Sequence, residues 1–140
     1  MWQYKANKIF LERLQHDRDL LLSIQQVFAQ QGIKMGFFAA IGAVKRAKVG
    51  FYDQKERSYR EELIDEPAEI LSCIGNASEL EGDTSVHAHV TLALEDGSTR
   101  GGHLLEGTVI FACELCGVEL AGEQLKRVFD TVTGLKLWET

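Results

Sequence analysis

Proline occurs once in this chain, at Pro67, and cysteine only three times, at Cys73, Cys113 and Cys116. An odd number of cysteines in a chain too large to need disulfide staples points to free thiols and a reducing compartment. No apolar run reaches the ~18–20 residues that a membrane-spanning helix needs. Met1-Trp2-Gln3-Tyr4-Lys5 is followed by no signal-like apolar core. The expectation is a soluble cytoplasmic protein without a membrane partner. Positive charge is also short: 15 Lys and Arg face 21 Asp and Glu, a formal net charge of -6. That balance argues against tight general binding to phosphate backbones. Internal repeats and low-complexity linkers are missing too, so residues 1–140 read as one domain. Hydrophobic residues make up 45% of the chain and are spread along most of it, enough for a core and unlike a disordered segment.

The coarse pattern is that of a sheet protein with one clear helix. Residues 2–14 mix Tyr4, Ile9, Phe10, Leu11 and Leu14 with charge and read as one or two short strands. From Asp17 the pattern changes: Leu20, Leu21, Ile24, Val27 and Phe28 recur at helical spacing, with glutamines on the other face. Asp17 is placed to cap the start of this helix and Gly32 to end it in a left-handed conformation. Met35–Val44 and Val49–Tyr52 then read as two strands, antiparallel neighbours, with Gly36, Gly42 and Gly50 marking bends or bulges. Asp53–Asp65 carries both signs of charge and reads as a solvated hairpin or loop. Ala68–Ile74 is expected to be a strand broken by Gly75-Asn76. Val86–Leu94 and Thr108–Leu120 are further strands, Asp96-Gly97 is a hairpin signal, and Arg127–Trp138 reads as a strand pair around Gly134.

Three of the four histidines, His87, His89 and His103, fall within 17 residues. A strand puts i and i+2 on one face ~6.5–7 Å apart. His87 and His89 can therefore converge on one ion while Val86, Ala88, Val90, Leu92 and Leu94 face the core. The place of His103 depends on the turn. An ideal two-residue Asp96-Gly97 turn pairs position 90 with 103 and puts His103 on the opposite face. A one-residue bulge at Gly101-Gly102 would bring it opposite His89 or Thr91. Three neutral imidazoles with an open fourth position suit a divalent transition metal, zinc foremost. The alternative is that each histidine is an ordinary surface or hydrogen-bonded sheet residue. Cys113-Glu114-Leu115-Cys116 has CxxC spacing, but in a strand i and i+3 point to opposite faces, so it reads as core cysteine. Gly97, Gly101 and Gly102 fit neither the dinucleotide nor the P-loop spacing.

Several runs together resemble the plant-and-prokaryote-conserved (PPC) domain. They are Asp19-Leu20-Leu21…Phe28…Gly32-Ile33, Gly36-Phe37-Phe38-Ala39-Ala40-Ile41-Gly42-Ala43-Val44, Glu69-Ile70-Leu71-Ser72 and Gly75-Asn76. Val86-His87-Ala88-His89-Val90, Asp96-Gly97 and Gly101-Gly102-His103-Leu104 look like its bacterial and archaeal form. The resemblance implies an α+β domain with a curved, mainly antiparallel sheet and one main packed helix. It also implies a homotrimer, and a fold related to zinc-dependent acetolactate decarboxylases. It carries the metal ligands onto His87, His89 and His103. Plant relatives use the domain for oligomerisation and protein partners beside DNA-binding AT-hooks, and some prokaryotic relatives are labelled DNA-binding by analogy. This chain has no Arg-Gly-Arg-Pro-like hook and is acidic, which counts against DNA. Its small basic patch, Lys45, Arg46 and Lys48, reads as a solvated or interface feature.

Two functions follow from these expectations. In one, a trimer carries a three-histidine zinc whose open position binds or transforms a small oxygen-bearing ligand, as in a zinc-dependent lyase or hydrolase. Glu106 is then the candidate acid or base and Asn76 a candidate ligand-binding residue, although a Glu there is more often solvent-facing and an Asn after Gly more often a turn residue. In the other, the domain is a non-catalytic oligomerisation or regulatory module with protein or DNA partners.

Overall fold

The computed structural model describes residues 1–139. The chain runs β1 (Lys5–Leu14), α1 (Leu20–Gln30), β2 (Gly36–Asp53), β3 (Ser58–Ile64), β4 (Ala68–Leu80), β5 (Asp83–Ala93), β6 (Thr99–Leu104), β7 (Val109–Ala121), β8 (Arg127–Phe129) and β9 (Lys136–Trp138). Helix α1 forms where the apolar spacing put it, but its cap is Asp19, whose Oδ1 accepts from Leu22 N–H at 3.0 Å. Asp17 instead has φ 62 and pairs with Lys45 at 2.6 Å. Asp19 is preferred because its extended backbone aims the carboxylate at the first helical turn, and its Oδ2 also accepts from Gly107 N–H at 2.7 Å. The helix ends in a Schellman motif: Gly32 N–H donates to Ala29 O at 3.0 Å and Ile33 N–H to Phe28 O at 2.9 Å, with Gly32 at φ 69.

Seven strands form one antiparallel sheet in the order β1-β7-β2-β4-β5-β6, with β3 on β2. Strand β6 also returns to β2 at Val49↔Leu104 and Gly50↔His103, so the sheet curls on itself. The inner surface and α1 bury Leu20, Ile24, Phe28, Phe38, Leu92, Leu104 and Ile110 completely, giving one contiguous core. The two expected strands within 35–52 are a single 18-residue strand. Register shifts at Ala40/Gly42, Ala43/Val44 and Val44/Arg46 bend it without breaking it. Lys45 and Lys48 therefore lie on a strand rather than a turn, and Asp17 and Glu61 neutralise them.

Strand β4 likewise runs through Gly75-Asn76, contrary to the expected break. Gly75 serves packing: a Cβ there would sit 2.4 Å from Phe38 Cζ and 2.4 Å from the His87 carbonyl oxygen. Residues 2–14 give one strand, and the charged 53–65 segment is the β2–β3 hairpin. The CxxC sulfurs split as strand geometry requires, Cys113 buried and Cys116 exposed. Burial raises the Cys73 thiol to about 12 and that of Cys113 to about 11. The C-terminal hairpin β8-β9 forms its own small sheet against β4, joined by the parallel bridge Glu79↔Lys126. Its Trp138 packs edge-on against Trp2 at 6.1 Å, so these two rings meet within one chain. Among the described residues no helix is long and apolar enough to cross a membrane.

Candidate metal centre

Strand β5 turns His87 and His89 to the outer surface because their neighbours Ala88 and Val90 are drawn into the core. Opposite them stand Asn76 across from His87 and Ile74 across from His89, both on β4. On the other side His89 pairs directly with His103 of β6. That register keeps one count from Ala93↔Thr99 to His89↔His103, with no irregularity at Gly101-Gly102.

The extra residue sits in the turn instead. Leu94 N–H donates to Ser98 O at 2.9 Å, Gly97 N–H to Leu94 O at 3.0 Å, and Gly97 takes φ 80. This is a three-residue hairpin loop with glycine in the left-handed position, and it corrects the expected glycine bulge. Gly101 and Gly102 serve close packing: a Cβ on Gly101 would lie 2.5 Å from Val90 O, and one on Gly102 2.6 Å from Gly50 O. They let β6 lie close between β5 and β2.

The three imidazoles converge. Ring centroids lie 5.2 Å apart for His87–His89, 4.9 Å for His87–His103 and 5.4 Å for His89–His103. One nitrogen from each lies within 4.8 Å of the others. The Nε2 atoms of His87 and His89 are 3.3 Å apart. Two nitrogens each ~2.05 Å from a tetrahedral zinc are themselves ~3.3 Å apart, so this pair has the spacing of two ligands of one ion. His103 Nδ1 is buried without a hydrogen-bond partner, an uncompensated polar atom of the kind a bound ion or its water would satisfy. Burial first, then the His103, Arg127 and His89 charges, lower His87 to about 4. Burial also lowers His103, with His89 and Arg127 contributing. Both rings are held in the neutral form that binds metal.

The cluster opens onto a cleft of about 810 Å³. The Tyr59 ring packs on His103 at 5.0 Å and on Tyr52 at 5.1 Å. Arg127, from β8, forms the far wall. Its Nη2 donates to Asn76 Oδ1 at 2.7 Å, its Nε to Ser78 Oγ at 2.9 Å and its Nη1 to Lys136 O at 3.0 Å. Asn76 is bound to Arg127 and pairs with His87 across the ladder, but lies outside the lining of the cleft. Glu106 is not brought there: it is exposed in the turn after β6, outside the lining of the cleft. Sequence reasoning found neither Arg127 nor Tyr59. The signals present were only a strand near the C-terminus and a charged hairpin, neither of which reports proximity to the histidines.

Comparison with known proteins finds relatives in sequence and in fold. A family model described as the Plants and Prokaryotes Conserved (PCC) domain matches residues 1–121. A crystal structure of a metal-containing protein from Archaeoglobus fulgidus is 38% identical with a TM-score of 0.95, covering 100% of this chain and 99% of that one. A plant- and prokaryote-conserved protein from Pyrococcus horikoshii is 33% identical with a TM-score of 0.94, covering 100% and 96%. A bifunctional GlmU protein of a Synechococcus strain is 30% identical over 129 residues, 91% of this chain but 19% of that protein. The chain therefore spans about a fifth of the length of the curated relatives it matches. More distant structures include bacterial proteins with a provisional DNA-binding label, from Bacteroides thetaiotaomicron and Ralstonia eutropha. Acetolactate decarboxylase of Bacillus subtilis, 11% identical with a TM-score of 0.60, is a neighbour in fold.

Proposed function

The chain belongs to the Plants and Prokaryotes Conserved domain family, and from that premise we propose that it is a homotrimeric zinc protein whose three-histidine centre binds or transforms a small oxygen-bearing ligand. The observation that carries this reading is the 3.3 Å separation of His87 and His89 Nε2, with His103 paired beside them. Zinc, or another divalent transition metal in its place, would polarise a ligand oxygen or lower the pKa of bound water, the chemistry of a lyase or hydrolase. The protein's own contribution is three imidazoles, the aromatic cover of Tyr59 on His103, and Arg127, held from behind by Asn76, as a polar wall. No described carboxylate lines the cleft, so the reading gives Glu106 no acid–base role.

Self-association is supported by the outer surface, where Ile9, Leu11, Phe37, Ile41, Ile74 and Phe111 are exposed. The number three rests on the family. Free Cys73, Cys113 and Cys116 support a reducing, cytoplasmic setting. The test is metal content per chain together with native mass. About one zinc per chain in a three-chain particle is expected, and His87→Ala with His89→Ala should abolish metal binding while leaving a folded oligomer. Full metal retention in that double variant overturns the assignment.

A second reading, a non-catalytic oligomerisation or regulatory module with protein or DNA partners, is favoured by the provisional labels on two neighbours. For DNA it predicts a steep loss of affinity with salt. The -6 net charge and the pairing of Lys45 and Lys48 with carboxylates weigh against that version.

A further inference from the structure

We propose that the cleft takes a small monocarboxylate, anchored by its carboxylate on the Arg127 guanidinium with the rest of the molecule reaching along the cleft toward the histidine cluster. This names the ligand class for the site above and rests on that reading for the place of the metal. The first support is the charge census of the wall. Arg57, Arg127 and Lys136 line the cleft with the three histidines, while no Asp or Glu does. In a chain with 21 acidic residues against 15 basic ones, that absence is not scarcity.

Two of the three cations are matched from outside the cleft. Lys136 pairs with Glu81 at 2.9 Å, and Arg57 lies close enough to Asp130 to lower its carboxyl. Arg127 pairs with no carboxylate among the described residues. Among those residues Arg127 is thus the one unmatched side-chain cation of the wall, a seat for one carboxylate apart from the metal.

The second support is the hydrogen-bond inventory. A guanidinium carries five N–H donors. Arg127 spends three, all on neutral acceptors: Ser78 Oγ, Asn76 Oδ1 and the Lys136 carbonyl. These bonds leave one N–H on each terminal nitrogen, and a carboxylate presents two oxygens to such a fork. Ser78, itself fully buried, also accepts from Trp138 Nε1 at 3.2 Å and so fixes the guanidinium's base. A half-buried, positioned and unpaired charge costs free energy that an anion recovers. The rest of the wall, including Leu80, Val86, Leu135 and Leu137, suits an apolar body.

The experiment titrates butyrate, its neutral counterpart butyramide and inorganic phosphate into the full chain, zinc-loaded and metal-free, by calorimetry. In the zinc-loaded wild type, butyrate should bind at least ~10-fold tighter than butyramide, and Arg127→Gln should erase that preference at unchanged zinc content. Arg127→Lys, which keeps the charge but not the fork, should fall between. If Arg127→Gln fails to fold, the wild-type acid-over-amide preference and the Arg127→Lys variant decide. Equal binding of acid and amide, tighter binding of phosphate than of butyrate, or an unchanged butyrate affinity in Arg127→Gln overturns the proposal. A chain that takes up no zinc overturns the metal reading alone. The metal-free titration then still decides the role of Arg127, because the acid-over-amide preference should persist there.

Discussion

Replacing Gly75 with alanine should injure the core and the histidine cluster by one movement. The added methyl would lie 2.4 Å from Phe38 Cζ and 2.4 Å from the His87 carbonyl oxygen, where nonbonded carbon contacts are normally ~3.5–4.0 Å. Relief requires ~1 Å of motion. The Phe38 ring is completely buried and packs on Phe28 at 5.8 Å, and the other obstacle is the backbone of β5. Overpacking typically costs ~1–3 kcal/mol, and a backbone obstacle puts this case near the upper end. At ~3 °C per kcal/mol for a chain of this size, the metal-free protein should melt ~9 °C lower. Because the displaced backbone carries His87, the zinc affinity proposed above should fall ~10-fold or more, the scale seen when groups supporting a ligand are disturbed.

The assay is thermal and urea unfolding of chelated protein at fixed concentration, since association makes the midpoint concentration-dependent, together with competitive zinc titration. Phe38→Leu on the Gly75→Ala background should recover part of the loss, with a coupling of ~1 kcal/mol or more. A melting point within ~2 °C of the parent, or strict additivity of the two substitutions, refutes the reasoning.

The remaining expectations concern acid, the helix cap and the hairpin loop. His87 is held at about 4 in the fold against ~6.5 unfolded. The unfolded chain therefore binds more protons between those values, so stability is full above pH ~6.5 and is lost as pH falls toward ~4. Discounted for solvent screening, the loss is ~1–2 kcal/mol. Melting of chelated protein from pH 7.5 to 4.5 should show it and His87→Gln should flatten it; a parent and variant with equal slopes contradict it. Asp19→Ala removes both the Leu22 cap and the Gly107 tether and should cost ~1–2 kcal/mol in urea unfolding, against little for Asp17→Ala. Deleting Glu95 leaves Leu94 opposite Ser98 across a two-residue Asp96-Gly97 loop, so the His89↔His103 register and the metal affinity should survive; loss of binding in that variant would contradict the turn assignment.

Much of this protein was legible from local pattern. The helix, the alternation of β5 and the convergence of His87 with His89 follow from periodicities of 3.6 and 2 that need no tertiary information. The cap was legible to within two residues. Asp17 and Asp19 have the same chemistry, and only the backbone angles of each decide between them. Gly42 reads locally as a bend or bulge and Gly75 as a break, because a glycine in a strand signals a turn or a close approach alike. The approaching partners, Ala112 O for one and Phe38 for the other, are distant in sequence.

The third histidine of the cluster shows where local reading ends. Its place required the sheet register, and the register was set by a three-residue loop whose length no alternation in the flanking strands encodes. Arg127 lies farther still from local signals. It is 40 residues from His87, and it reaches the cleft because the C-terminal hairpin docks on β4 through Ser78 and Asn76. The amino-acid sequence by itself determined the elements, the core face of each strand and two of the three clustered histidines, because those are properties of neighbours along the chain. The tertiary structure alone decided the closure of the histidine cluster and the unmatched charge beside it, because strand register and hairpin docking join residues that no local interaction connects.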